Sequence, residues 1–145
     1  MILRKAEPKD ERTLAELALL LWPGHTLEDL KEEMGKILRN KESAFFLAFE
    51  EDEPIGFSQC QLRHDYVEGT ESSPVGYLEG IFVKEGFRNM GLAGKLLLQC
   101  QNWAREQGCT EFASDCELTN EASLAFHLCH GFQEANRIIC FTKPL

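Results

Sequence analysis

Apolar residues recur along the chain with two different spacings, and the change from one to the other predicts its elements. Ile2-Leu3-Arg4 has the pattern of a short first strand. Leu14, Leu17, Ala18 and Leu21 then recur at helical spacing until Pro23 ends the run just after Trp22. Thr26, with Asp29 three residues on, has the form of a helix N-cap, and Leu27, Leu30, Met34, Ile37 and Leu38 supply the buried stripe of a second helix. Ala44–Phe49 and Ile55–Leu62 are strand-like runs separated by the acidic stretch Glu50–Glu53 and Pro54, the pattern of an antiparallel hairpin.

Arg63–Pro74 contains only two large hydrophobes, Tyr66 and Val67, among Gly, Ser and acidic residues, and reads as a surface loop. Long loops in small domains are often functional. Val75–Val83 is the next strand. Gly91–Gln107 is the clearest helix, with Leu92, Leu96, Cys100, Trp103 and Ala104 on one face and Gly108 ending it. Phe112–Asp115 reads as a short strand, Asn120–His130 as a helix closed by Gly131, and Arg137–Lys143 as a final strand carrying Ile138, Ile139 and Phe141. The predicted order is β-α-α-β-β-β-α-β-α-β without repeat or linker. It implies an α/β (α+β) sandwich with helices on both faces of the sheet.

A length of 145 residues suits one domain, expected to span 1–145. The balance of 43% hydrophobic and 27% charged residues is that of a globular chain with a real core. With 15 basic against 24 acidic residues, the net charge of -9 repels a phosphate backbone, so no nucleic acid partner is expected and a cationic partner fits better. Acidic surfaces also serve solubility alone. No apolar run approaches bilayer length, and Met1-Ile2-Leu3-Arg4-Lys5 lacks a signal-peptide core, which implies a cytoplasmic protein with no membrane partner. Cys60, Cys100, Cys109, Cys116, Cys129 and Cys140 form no C-x-x-C pair and are expected to be reduced and mostly buried. No set of ligands converges on a metal site, although His127, Cys129 and His130 share one helix.

The strongest local signal is Arg88-Asn89-Met90-Gly91-Leu92-Ala93, between the strand ending at Val83 and the long helix. A small-residue turn feeding a helix N-terminus presents unpaired backbone N–H groups and the positive end of the helix dipole, which together bind phosphate oxygens. Such a turn can also be an ordinary connection. The segment resembles motif A of the GNAT acetyltransferases, Gln/Arg-x-x-Gly-x-Gly/Ala, and matches each fixed position. Asn120–Phe132 is similar to the motif B helix of the same family, and the order of elements agrees throughout.

The resemblance implies a GNAT fold with a mixed, mostly antiparallel central sheet, and acetyl-CoA as co-substrate. Backbone groups of Ile81, Phe82 and Val83 would line the pantetheine arm, and Arg88, Asn89, Met90, Gly91, Leu92, Ala93 and Gly94 would wrap the pyrophosphate. Asn120 would contact the coenzyme near its thiol. Many members carry a tyrosine four residues before the motif B glycine to protonate the departing thiolate; this chain has His127 there, which either donates that proton or packs beside His130.

A narrower resemblance, to aminoglycoside 6′-N-acetyltransferases, rests on Leu21-Trp22-Pro23-Gly24-His25, Arg63-His64-Asp65-Tyr66-Val67, Ser72-Ser73-Pro74, Leu78-Glu79-Gly80-Ile81-Phe82-Val83 and Ala113-Ser114-Asp115. It implies a cationic aminoglycoside as acceptor, a homodimer, and acceptor contacts from Trp22, His25, Tyr66, Glu79 and Asp115. The group can carry an acid where this chain has Asn136. The residues themselves agree in part. Glu79 interrupts an apolar strand, where a carboxylate is costly unless a cation pairs with it, and that cation is either a substrate amine or a core arginine. Period-two alternation puts Glu79 on one face with Tyr77, Ile81 and Val83. Asp115, at the end of the neighbouring strand, is either a second cleft acid or a turn residue. Trp22 and Tyr66 offer flat walls for a sugar or a cation. An ammonium must lose a proton before it can attack, which makes Glu79 or Asp115 the candidate base. Cys116 has no histidine placed beside it by sequence and is a weak nucleophile candidate. Acetyl transfer to another primary amine, or ligand binding without turnover, would leave the same cofactor motif.

Overall fold

The computed structural model describes residues 1–145. Strand β1 (Ile2–Lys5) leads through a short 3-10 turn into α1 (Glu11–Leu21) and α2 (Leu27–Leu38). The antiparallel strands β2 (Ser43–Glu50), β3 (Glu53–Arg63) and β4 (Val75–Val83) follow. Then come α3 (Leu92–Glu106), the two-residue β5 (Phe112–Ala113) and α4 (Glu121–Cys129). The sheet order is β1-β2-β3-β4-β5, antiparallel except for the parallel β4–β5 pair.

Each strand buries one alternate set of side chains against each helical layer. Phe45, Leu47 and Phe57 pack on Leu14, Leu17 and Ala18 of α1 and Leu30 and Met34 of α2. Ala44, Phe46, Cys60 and Leu78 pack on Leu92, Leu96, Cys100 and Trp103 of α3. Burial of such side chains contributes roughly 1.5–3 kcal/mol each. Ser58, fully buried in this second layer, donates to the Leu96 carbonyl at 3.1 Å, and Cys100 donates to Ser58 at 3.2 Å, so the polar atoms there are paired. Gly76 permits this closeness, since a Cβ there would meet the Ala104 Cβ at 2.6 Å.

Helix limits follow local chemistry. Thr26 accepts from the Asp29 N–H at 3.2 Å and starts α2, while α1 ends where Trp22 donates to the Ala18 carbonyl and Pro23 follows.

Four expectations need correction. Arg137–Lys143 is not a strand: it pairs with no strand of its own chain, β5 being only two residues long, and Ile138, Ile139 and Phe141 are largely exposed. Phe112–Asp115 shortens to Phe112–Ala113, because β5 diverges from β4 after Ala113 pairs with Tyr77. Arg63 belongs to β3, paired with Val75, and the loop begins at His64. Of the six free cysteines only Cys60, Cys100 and Cys109 are buried.

Asp10 ties β1 to the start of α1. It accepts from Arg4 at 2.8 Å through both oxygens and from the Glu7 N–H at 2.7 Å. The bond from Arg4 holds its carboxyl below the ordinary value. The unfolded chain therefore takes up this proton at higher pH than the folded one. The stabilisation is complete above about pH 4 and is lost as pH falls through the lower folded value. Asp10→Asn is expected to lose about 1–2 kcal/mol at neutral pH. In urea titrations the gap to the parent protein should close as the pH is lowered below about 4.

Candidate active site

The site is organised by an irregularity in β4. Leu78 pairs with Cys60 and Gly80 with Gln59, so Glu79 has no partner on β3 and forms a β-bulge. The bulge turns two successive residues to one face. Glu79 meets Arg63 and Gln61, and Gly80 faces the Trp22 ring, whose nearest atom would lie 3.1 Å from a Cβ there. Beyond the bulge the alternation is reset: Ile81 and Val83 pack with the α3 layer and Phe82 with the α1 and α2 layer. Glu79 thus shares its face with Tyr77 but not, as simple alternation predicts, with Ile81 and Val83.

Glu79 is held by Arg63 at 2.6 and 2.8 Å and by the Gln61 amide at 3.0 Å. The Arg63 guanidinium also lies 3.4 Å from the Tyr77 ring centroid, and the Tyr77 hydroxyl donates to Asp115. Burial, then the bond and charge of Asp115, push the Tyr77 phenol above its ordinary value. It stays a neutral donor at neutral pH. Gln61, Glu79, Arg63, Tyr77 and Asp115 therefore form one connected strip. Of the two cations considered for Glu79, the internal arginine is present as Arg63. One lone-pair direction on Oε1 remains for an incoming donor.

The strip is partly roofed by the loop 64–74. Val67 packs on Val75 and Tyr77, Ser73 donates to the His64 carbonyl at 3.0 Å, and the Glu71 N–H reaches Glu111 at 2.9 Å. Tyr66 stands on this loop 75% exposed. Trp22 is half-buried, edge-on to Phe57 with centroids 6.2 Å apart. His25 is exposed in the turn after it. Asn136 lies apart from the strip and donates to Glu68 at 3.2 Å, which puts a carboxylate beside the position the amide occupies.

On the other side of the bulge, β5 leaves β4 after Tyr77, so the β4 edge from Glu79 to Val83 has no strand beside it. The turn ahead of α3 holds Asn89 at φ +63° and Gly91 at φ +77°, left-handed conformations that suit Asn and Gly. Arg88 donates to the Val83 carbonyl at 2.8 Å, and Met90 is exposed. The first helical bond runs from Lys95 to the Gly91 carbonyl, leaving the N–H groups of Leu92, Ala93 and Gly94 without helical partners. Gly94 has no room for a side chain, since a Cβ would lie 2.7 Å from the His130 ring. Asn120 caps α4 by accepting from the Ser123 N–H at 3.1 Å. His127 sits between Ser114, 2.8 Å from Nε2, and the Ser123 carbonyl, 2.6 Å from Nδ1. No group of three His, Cys, Asp or Glu side chains is placed to hold a metal ion.

The sequence reading missed Gln61, Arg63, Tyr77 and Ser114 as parts of the site. A signal existed for the first two: Gln59, Gln61 and Arg63 alternate as polar residues with the apolar Cys60 and Leu62.

Residues 12–132 match the profile of the acetyltransferase (GNAT) family. The chain belongs to that family. It is 43% identical over 144 residues, 99% of this chain and 93% of the relative, to aminoglycoside N(6′)-acetyltransferase type 1 of Stenotrophomonas maltophilia. Its structure is similar to that of the aminoglycoside N-acetyltransferase AAC(6′)-Iy in complex with CoA, with TM-score 0.95, 37% identity, and coverage of 99% of this chain and 95% of that one. The same enzyme in complex with the bisubstrate analog CoA-S-monomethyl-acetylneamine gives TM-score 0.94 at 37% identity, over 99% of this chain and 98% of that one.

The Arg63–Glu79 pair makes a direct prediction. Arg63→Met is expected to destabilise the protein by about 1–3 kcal/mol by stranding a half-buried carboxylate. Adding Glu79→Gln should restore part of that loss. Strict additivity of the two changes in urea unfolding would show that the pair is not coupled.

Proposed function

We propose that this chain is an aminoglycoside 6′-N-acetyltransferase, acting over residues 1–145 as one domain. The observation that carries the reading is the placement, on either side of one bulge, of an open strand edge leading to a helix N-terminus and a carboxylate strip beside a tryptophan. The first half suits acetyl-CoA. Arg88, Asn89, Met90, Gly91, Leu92, Ala93 and Gly94 would hold its pyrophosphate by backbone N–H groups, and Ile81, Phe82 and Val83 its pantetheine arm. Asn120, with its oxygen engaged as a cap, keeps its amide N–H groups for the arm. Acetyl-CoA supplies an activated acetyl thioester.

The second half suits a polycation. Glu79 and Asp115 attract ammonium groups, Trp22 and Tyr66 wall the sugar ring, and His25 and Asn136 with Glu68 extend the contacts to further rings. A protonated amine cannot attack, so Glu79 or Asp115, directly or through water, removes its proton. Glu79 is already oriented by Arg63 and Gln61. That the bisubstrate analog bound by AAC(6′)-Iy joins CoA to an acetylated neamine supports direct transfer in a ternary complex. Acetylation removes a positive charge from the drug, which is the chemical basis for resistance. No helix is long and apolar enough to cross a membrane, and with the net charge of -9 this supports a cytoplasmic enzyme that does not bind nucleic acid.

We also place a homodimer in this reading. The exposed apolar segment Arg137–Lys143 has strand character but pairs with no strand of its own chain, and a second copy could supply its partner. Sedimentation should give a dimer for the full chain and a monomer after truncation at Asn136; a monomeric full chain would contradict it.

Purified protein with acetyl-CoA should release thiol over many turnovers with kanamycin or tobramycin, above the background of exposed Cys116, Cys129 and Cys140. Analogues carrying a 6′-hydroxyl should give none. Glu79→Gln is expected to lower kcat by about 10²-fold or more if Glu79 is the base. Release with neither set would end the aminoglycoside reading.

A further inference from the structure

His127 cannot reach a leaving group itself, because both of its ring nitrogens are engaged. Nδ1 lies 2.6 Å from the Ser123 carbonyl, which only accepts, so Nδ1 carries a proton. In the neutral ring Nε2 is therefore a lone pair, and it accepts from the Ser114 hydroxyl at 2.8 Å. The ring is wedged edge-on between Phe126 and Phe132, with centroids 5.8 and 4.9 Å away, and does not turn freely. Ser114 follows Ala113, the last residue of β5, and its hydroxyl lies 3.4 Å from the Leu78 carbonyl, where β4 and β5 part. It stands at the inner end of the open strand edge.

We propose that Ser114 is the catalytic residue that delivers a proton to the departing sulfur, with His127 acting through it as the proton reservoir. The inference rests on the acetyl-transfer reading above. As the amine nitrogen bonds to the acetyl carbon and the carbon–sulfur bond breaks, the electron pair stays on sulfur. Sulfur takes the Ser114 hydroxyl proton, and Ser114 takes the Nε2 proton of the His127 imidazolium. The ring ends neutral, its remaining proton on Nδ1. The ammonium gives one proton to the carboxylate base before attack and a second to solvent as the adduct collapses; the protonated carboxylate and neutral His127 then return to their starting states by exchange with solvent, with one proton released in total, so charge and protons balance. When His127 is protonated, Nε2–H donates to Ser114 and the serine proton is released to point elsewhere. When it is neutral, that proton is held by Nε2. The titratable groups on the elements framing the ring are Tyr77 and Glu79 on β4, Asp115, Cys116 and Glu117 after β5, and Glu121, Cys129 and His130 on or beside α4. None is hydrogen-bonded to the imidazole.

The test combines nitrogen-15 NMR of the histidines in the free protein with steady-state kinetics on kanamycin and acetyl-CoA. Neutral His127 should be the Nδ1–H tautomer in the parent protein. Ser114→Ala and His127→Gln should each lower kcat by about 10- to 100-fold, a modest acid contribution because thiolates leave readily. KM should change little, the kcat–pH profile should lose the limb that requires the imidazolium, and the double variant should be no slower than the worse single one. Ser114→Thr, which restores the hydroxyl, should recover most of the rate and so separates proton delivery from packing. An Nε2–H tautomer, or Ser114→Ala with the parent kcat and pH profile, would overturn the proposal. An inactive parent protein would instead remove the acetyl-transfer reading, while the tautomer would still test the hydrogen-bond chain.

Discussion

A β-strand normally gives its side chains alternately to the two faces of its sheet, and β4 departs from this at Glu79. The residue has no partner on β3, so Glu79 and Gly80 fall on the same face, and the strand continues with its alternation reversed. The site depends on this displacement. Ahead of it, Tyr77 and Glu79 line the face reached by Arg63, Gln61 and Trp22. Behind it, Ile81 and Val83 enter the α3 core and carry the chain to the turn that opens α3. A carboxylate in such a strand is tolerable because an arginine and an amide satisfy it, and the arginine is fixed in turn by the Tyr77 ring.

The same device separates two kinds of surface. On one side the chain offers backbone: left-handed Asn89 and Gly91, N–H groups without helical partners, and a Gly94 crowded by His130. On the other it offers side chains and their charges. Between them, where β5 parts from β4, lie Ser114 and His127. The divergence of β5 from β4 thus opens the β4 edge from Glu79 to Val83 and brings Ser114 and His127 together at its inner end.

Much of this was legible in the sequence. Helical periodicity and caps located all four helices, and the Arg88–Ala93 segment marked the turn whose backbone N–H groups open α3. Glu79 stood out because an acid in an apolar strand needs a partner. The bulge did not, since period-two reasoning assumes an unbroken register and nothing in Leu78-Glu79-Gly80 announces an extra residue. Arg63 was assigned to the loop because boundaries are set by where pairing with Val75 ends, a tertiary matter. Arg137–Lys143 had a strand's composition, but a strand also needs a paired partner, and in its own chain it has none. At His127 the motif B position left a proton donor and a packed helix residue equally open; its contacts with Ser114 and the Ser123 carbonyl belong to the three-dimensional structure alone.

The most direct measurement is the position of the acetyl group in the product formed from kanamycin and acetyl-CoA, read by two-dimensional NMR. The arrangement of Trp22, Glu79 and Asp115 predicts a single acetyl group on the 6′ nitrogen. Acetylation at another amine, or a mixture of sites, would contradict it.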